Sequence, residues 1–205
     1  RGANVQPGAF GENLVVEGFD FRALPVGTLL RCGDVLLEMT QIGKECHSHC
    51  EIFKRMGECI MPTQGVFARV LEPGEIRVGD EMEIQPRTEP RPWQAAVITL
   101  RDKGARGERR DESGPAIAKR LAEAGYEVVE QLLLADEAAP LKPQLMRLAD
   151  QRQLDLVLTT GGTGFGPRDI TPEATLAVAH RNAPGIAEAM RAASLAITPR
   201  AMLSR

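Results

Sequence analysis

The chain has 205 residues, 43% of them hydrophobic and 26% charged, which is enough for one substantial core or two modest ones. A formal net charge of -3 excludes the broad basic field of a general nucleic-acid binder and suits a small anionic ligand held by local donors. No stretch approaches the ~18 consecutive apolar residues of a membrane helix, and Arg1-Gly2-Ala3-Asn4 carries no apolar signal core, so a cytoplasmic protein without nucleic-acid or membrane partners is expected.

Residues 1–86 read as a β-rich, barrel-like domain. Strand-length apolar runs at 14–16, 28–31, 35–39, 66–71 and 81–84 are cut by turn signals such as Cys32-Gly33-Asp34 and Pro73-Gly74. All four cysteines fall here, and without a secretory signal they point to thiol chemistry or metal binding rather than disulfides. On a helix Cys46, His49 and Cys50 share one face and Cys59 could add a fourth ligand, a zinc-type set; small half-buried thiols with solvent-facing histidines account for the same residues. Cys32, after a strand and before Gly33-Asp34, reads as packing. Pro86, Pro90 and Pro92 alternate with charge, which disfavours helix and central strand and leaves an extended linker over residues 87–94.

From residue 95 to 205 the period changes to strands alternating with helices, the pattern of a parallel sheet covered on both faces. Strands are expected at 95–100, 126–134 and 154–159. A helix opens at Ser113-Gly114-Pro115 with a serine cap, runs through Ile117 and Leu121 and closes at Gly125; others span 140–153 and start at Thr171-Pro172.

The third strand runs into Thr160-Gly161-Gly162-Thr163-Gly164, followed by Pro167-Arg168-Asp169-Ile170-Thr171-Pro172-Glu173. Ligands of open α/β sheets gather at such carboxyl ends, where glycines let the backbone approach an anion. Thr163 and Thr171 add hydroxyls and Arg168 a cation. No Gly-Lys-Ser/Thr follows, which excludes a P-loop, and Pro167 stands where a dinucleotide fingerprint needs glycine. Asp169 beside a phosphate calls for a bridging divalent cation, naturally magnesium, and Asp136, at the end of another strand, could supply a second carboxylate for metal-assisted nucleotidyl transfer. Each aspartate could instead simply cap the helix that follows it.

These motifs, with Asp111-Glu112-Ser113-Gly114-Pro115 and the closing 198–205 segment Thr-Pro-Arg-Ala-Met-Leu-Ser-Arg, resemble the signature of the molybdopterin adenylyltransferase (Mog/MoaB-like) family from about Ala95 onward. The resemblance implies a three-layer α/β sandwich of molybdopterin-binding type, ATP and molybdopterin as substrates, Mg²⁺ assistance, a homotrimer, and a molybdate-insertion enzyme as a partner. It puts catalysis and the metal on Asp136 and Asp169, and ligand binding on Asp102, Ser113, Gly114, Gly161, Gly162, Thr163, Gly164, Arg168 and Thr171. Arg101 stands where that family usually has serine before the aspartate. The family continues with a further strand and a pterin-contacting Gly-Ser-Pro segment, so a chain ending at Arg205 is expected to hold an incomplete pocket, which leaves its activity open.

The first half resembles a second family. Gly11-Glu12-Asn13-Leu14, Leu24-Pro25-Val26-Gly27-Thr28, Cys46, Val70-Leu71-Glu72-Pro73-Gly74 and Val78-Gly79-Asp80 are similar to the MOSC domain, the β-barrel module of molybdenum-cofactor sulfurases, with its N-terminal strands missing. That resemblance implies molybdenum cofactor or pyridoxal phosphate binding and makes Cys46 the candidate sulfur carrier or molybdenum ligand, with Cys50 and Cys59 as competitors. Lys44 and a protonated His47 or His49 would favour its thiolate. Together the halves read as a bifunctional protein of molybdenum-cofactor biosynthesis. A non-catalytic pterin- or nucleotide-binding module and a zinc-binding structural protein are the alternatives.

Overall fold

The computed structural model describes residues 7–8, 10–43, 53–54, 61–108 and 110–205. The chain divides into two compact units, Arg1–Arg91 with Gln151–Gln153 and Pro92–Asp150 with Leu154–Arg205.

In the first unit, strands β1 (Leu29–Cys32), β2 (Val35–Ile42), β3 (Val66–Glu72) and β4 (Glu83–Gln85) accompany a short helix, α1 (Met61–Gln64). The strands pair antiparallel in the order β3-β2-β1-β4. Gly33, at φ 55, makes the tight hairpin between β1 and β2, a conformation that costs glycine least. Leu30, Val35, Leu37 and Met39 form the core of one face, covered by Phe21, Leu24, Ile76 and Met82. On β2, Glu38 is only 5% exposed. A buried carboxylate needs partners, and it has two: Arg69 Nε donates to Oε2 at 2.6 Å and Arg87 donates to Oε1 at 2.5 Å.

The expected barrel is not closed among the described residues. Four strands, one of three residues, are too few to meet the link between strand number, tilt and stagger that closure demands. The expected strand at 14–16 pairs with nothing described, and Leu14 and Val15 lie exposed. The strand expected at 81–84 is Glu83–Gln85. Cys32 is buried at the end of β1, whereas Cys46, Cys50 and Cys59, with Lys44, His47 and His49, lie outside the described residues.

In the second unit, β5 (Trp93–Leu100) lies between β6 (Tyr126–Leu134) and β7 (Leu156–Thr160) and is parallel to both. Helices α2 (Asp102–Ala105), α3 (Ser113–Glu123), α4 (Ala138–Met146), α5 (Thr171–Leu176) and α6 (Pro184–Leu195) complete it. Alternation along β5 separates two cores. Ala95 and Val97 pack with Ala118 and Leu121 of α3, while Ala96, Ile98 and Leu100 pack with Leu141, Leu145, Leu148 and Ala174. The result is the expected three-layer α/β arrangement, with all three strands ending on the same side.

Local chemistry departs from expectation in two places. Ser113 does not cap α3. Asp111 does, its Oδ1 accepting the Ser113 and Gly114 amides at 3.0 and 3.2 Å. The single helix expected over 140–153 is α4 followed by a wide π turn, Arg147–Gln151; Pro143 inside α4 has no amide to give, which weakens a regular continuation. Gly125, at φ 87, ends α3 as expected. No described helix is long and apolar enough to cross a membrane.

Candidate active site

The carboxyl ends of β5, β6 and β7 carry, in turn, Asp102, Asp136 and the glycine loop. Gly161 has φ 87, and its Cα stands so close to the carbonyl oxygen of Leu100, the last residue of β5, that a Cβ would collide with it. The loop is stitched to α5 by Thr171, which is 2% exposed. Its hydroxyl donates to the Gly161 carbonyl at 2.8 Å and its amide to the Gly162 carbonyl at 3.0 Å. A Cβ on Gly162, φ 58, would stand 2.5 Å from Thr171 Oγ1 and 3.1 Å from Asp136 Oδ1. Glycine is therefore required at both positions by conformation and by close approach.

Asp102 and Asp136 each accept the other's backbone amide on a side-chain oxygen. The Asp102 amide donates to Asp136 Oδ2 at 3.0 Å, and the Asp136 amide donates to Asp102 Oδ1 at 3.0 Å. Arg168 then grips Asp102 with a two-pronged contact, Nε to Oδ2 and a terminal nitrogen to Oδ1, both at 2.7 Å, and reaches Glu137 at 3.5 Å. These partners leave Asp136 Oδ1 buried with no hydrogen-bond partner, and the Thr99 hydroxyl on β5 is in the same state. Gly114, at the start of α3, lies over that hydroxyl: a Cβ there would come within 2.7 Å of Thr99 Oγ1 and 2.5 Å of Asp111 Oδ2.

Asp169 serves a different part of the loop. Its Oδ2 accepts the Gly166 amide at 2.8 Å, its own amide donates to the Gly166 carbonyl at 3.0 Å, and a Cβ on Gly164 would stand 2.7 Å from that oxygen. Neither aspartate caps the helix that follows: Asp136 Oδ2 accepts the Asp102 amide and its Oδ1 has no partner, while Asp169 Oδ2 accepts the Gly166 amide. Ser113 and Thr163 are exposed. Among the described residues, no group of three or more histidine, cysteine, aspartate or glutamate side chains forms a metal cage.

Two contributors escaped the sequence reading. Thr99 sits inside an apolar strand with nothing to mark it. Arg205 donates to Glu173 Oε1 and to the Asp169 carbonyl, both at 2.8 Å, and its guanidinium carbon lies 5.2 Å from the Phe165 ring centre. That contact joins positions too far apart for any spacing rule.

The Arg168 guanidinium, backed by the Asp136 amide, holds the Asp102 carboxyl below the ordinary carboxylate range. With the folded value depressed, the pair's contribution to stability is complete above the unfolded value of ~3.9 and is lost as pH falls through the folded one. Carboxyl-detected NMR should give Asp102 a midpoint below ~3.9, and Arg168→Ala should move that midpoint upward; an unmoved midpoint would show that the ion pair does not form in solution.

A glycine loop and two aspartates thus stand at the strand ends of a three-layer α/β unit. The chain belongs to the family whose model is described as a probable molybdopterin binding domain, which matches residues 96–205, and the MOSC domain model matches residues 1–83. The chain is 43% identical over 112 residues to a molybdopterin adenylyltransferase of Escherichia coli K12, an alignment that covers 53% of this chain and 57% of that protein. A molybdopterin adenylyltransferase of Helicobacter pylori J99 is 42% identical over 111 residues, covering 53% of this chain and 63% of the relative. A molybdenum cofactor biosynthesis bifunctional protein of Synechococcus elongatus is 39% identical over 111 residues, covering 54% and 34%. Among solved structures, the molybdopterin biosynthesis enzyme MoaB of Thermus thermophilus matches with 47% identity and a TM-score of 0.52, covering 55% of this chain and 71% of that one. The alignments thus span between about a third and two thirds of the length of these curated relatives.

Proposed function

We propose that the second unit joins AMP from ATP to the phosphate of molybdopterin, and that the first unit binds the maturing cofactor. One observation carries the reading: Asp136 presents one fixed carboxylate oxygen and one bare, buried oxygen beneath Gly162, at the ends of three parallel strands. A buried carboxylate oxygen without a partner is costly unless a cation or donor meets it.

The donor set suits magnesium, which is commonly held by one or two carboxylates while water and substrate phosphates supply the other ligands. Asp136 Oδ1 and Asp169 would hold the ion, which when bound neutralises charge on the transferring phosphoryl group. The chain's own residues do the rest. Gly161, Gly162 and Gly164 bring backbone close to the phosphates, Thr163 offers an exposed hydroxyl, and Thr171 fixes the loop against α5. Thr99 Oγ1 lies beside Gly114 at the opening of α3, where Ser113 is exposed, and these residues are the further candidates for ligand contact. In the transfer a pterin phosphate oxygen bonds to the α-phosphorus as the bond from that phosphorus to the pyrophosphate oxygen breaks. Positioning and charge stabilisation are the protein's contribution.

Exposed Ile186 and Met190 on α6, with Ile197 and Met202 beyond it, support a homo-oligomer, and the trimer that the resemblance implies is part of the proposal. In the first unit Cys46 is the proposed carrier of sulfur or molybdenum.

The test is incubation of the protein with ATP, Mg²⁺ and molybdopterin, followed by chromatography of the pterin. Adenylylated pterin is expected from the wild type, and at least ~10²-fold less from Asp169→Ala. No product from the wild type, with ATP and pterin still bound, would replace the enzyme by a binding module.

A further inference from the structure

Arg168 is the cation of the glycine loop, and its contacts decide what it does there. Its guanidinium faces two carboxylates: it is bound in parallel to both oxygens of Asp102 at 2.7 Å and lies 3.5 Å from Glu137. An incoming phosphate would have to compete with both. Asp102 in turn gives its amide to Asp136 Oδ2 and takes the Asp136 amide on its own Oδ1. A single chain of charge-assisted hydrogen bonds therefore crosses from the loop after β7, through the residue that opens α2 after β5, to the residues that follow β6.

We infer that Arg168 is a positioning residue: through Asp102 it locks the Asp136 carboxylate with Oδ2 engaged and Oδ1 turned bare into the crevice, and it does not itself ligate substrate phosphate. The inference rests on the adenylyl-transfer reading above. A planar fork satisfies both oxygens of one carboxylate at once and so fixes its orientation, which a lysine ammonium, a point charge on a flexible stem, does not. With Asp102 Oδ1 held in place, the Asp136 amide keeps a fixed acceptor, and the backbone from which the Asp136 carboxylate reaches the Asp102 amide is held with it. The loop is held at the same time, because Arg168 stands between the glycine turn and Thr171. Phosphates are left to the loop's backbone and hydroxyls.

The experiment compares wild type with Arg168→Ala, Arg168→Lys, Asp102→Asn and the Arg168→Ala/Asp102→Asn double variant, measuring kcat, the KM for ATP, and direct binding of ATP with Mg²⁺ by calorimetry. A positioning role predicts a kcat lower by about 10- to 100-fold in Arg168→Ala, with the KM and the calorimetric affinity for ATP within about twofold of wild type. Arg168→Lys should remain as slow as the alanine variant, and the double variant should be no slower than the slower single one, since both act through the same carboxylate. An affinity for ATP at least about tenfold weaker in Arg168→Ala, restored by lysine, would make Arg168 a phosphate contact and overturn the inference. Multiplicative losses in the double variant would overturn it too. A wild type that binds ATP without turnover removes the enzyme reading alone, because calorimetry with the same variants still tests whether Arg168 touches phosphate. A wild type that neither binds nor turns over ATP removes both.

Discussion

Replacing Gly161 by alanine is expected to be far more damaging than the same change at Gly125, although both glycines have φ 87. At Gly125 a Cβ would meet nothing within 4 Å, so the cost is that of the left-handed backbone alone, about 1 kcal/mol. At Gly161 the new methyl would be driven into the Leu100 carbonyl oxygen. That oxygen belongs to backbone at the end of β5, and β5 cannot retreat. Ala95, Ala96, Val97 and Ile98 are each 0% exposed, with helices on both faces and a strand on either side. The loop must leave its place or the strands must part. The loss should exceed ~4 kcal/mol, the range reserved for backbone strain combined with disrupted packing. Urea unfolding of the two variants side by side makes the comparison. Similar midpoints for both, with nucleotide binding by Gly161→Ala unchanged, would show that the loop does not sit against β5 as described; a near-native midpoint with nucleotide binding lost is the outcome expected if the loop moves and the unit stays folded.

Asp136 should give the other large effect, on rate more than on stability. Alanine at this position removes the acceptor of the Asp102 amide and the bare Oδ1 together. Asparagine separates the two roles. Its side-chain oxygen can still accept from the Asp102 amide at the position Oδ2 now holds, while the charge is gone. On the proposed mechanism Asp136→Asn should fold with a stability within about 1 kcal/mol of wild type and lose about 10²- to 10⁴-fold in turnover, because only the charged oxygen can anchor the cation. The loss should ease as Mg²⁺ is raised, provided that the defect is in metal binding. Turnover by Asp136→Asn at the wild-type rate and with unchanged Mg²⁺ dependence would take Asp136 out of the mechanism.

The sequence by itself determined the order of parts. The apolar run at 95–100, a nine-residue strand at 126–134 and the glycine run after 160 follow from local hydrophobic pattern and from the conformational freedom of glycine, and both are written into neighbouring residues. The proximity of Asp136 to the loop was also legible, because parallel strands bring their carboxyl ends to one side of a sheet. What pairs with what was not. Arg168 looked like an anion contact because, read along the chain, its neighbours are glycine, proline and threonine; its actual partner Asp102 is 66 positions away. The cap of α3 passed from Ser113 to Asp111 because hydrogen-bond geometry at a helix start depends on φ and ψ that spacing does not fix. The strand expected at 14–16 failed for a related reason: a short apolar run becomes a strand only if another strand offers its backbone, and that decision belongs to the fold. The same holds for Asp136. Its residue type and place were written in the sequence, but only the tertiary structure decided which of its two oxygens is tied down and which is left without a partner.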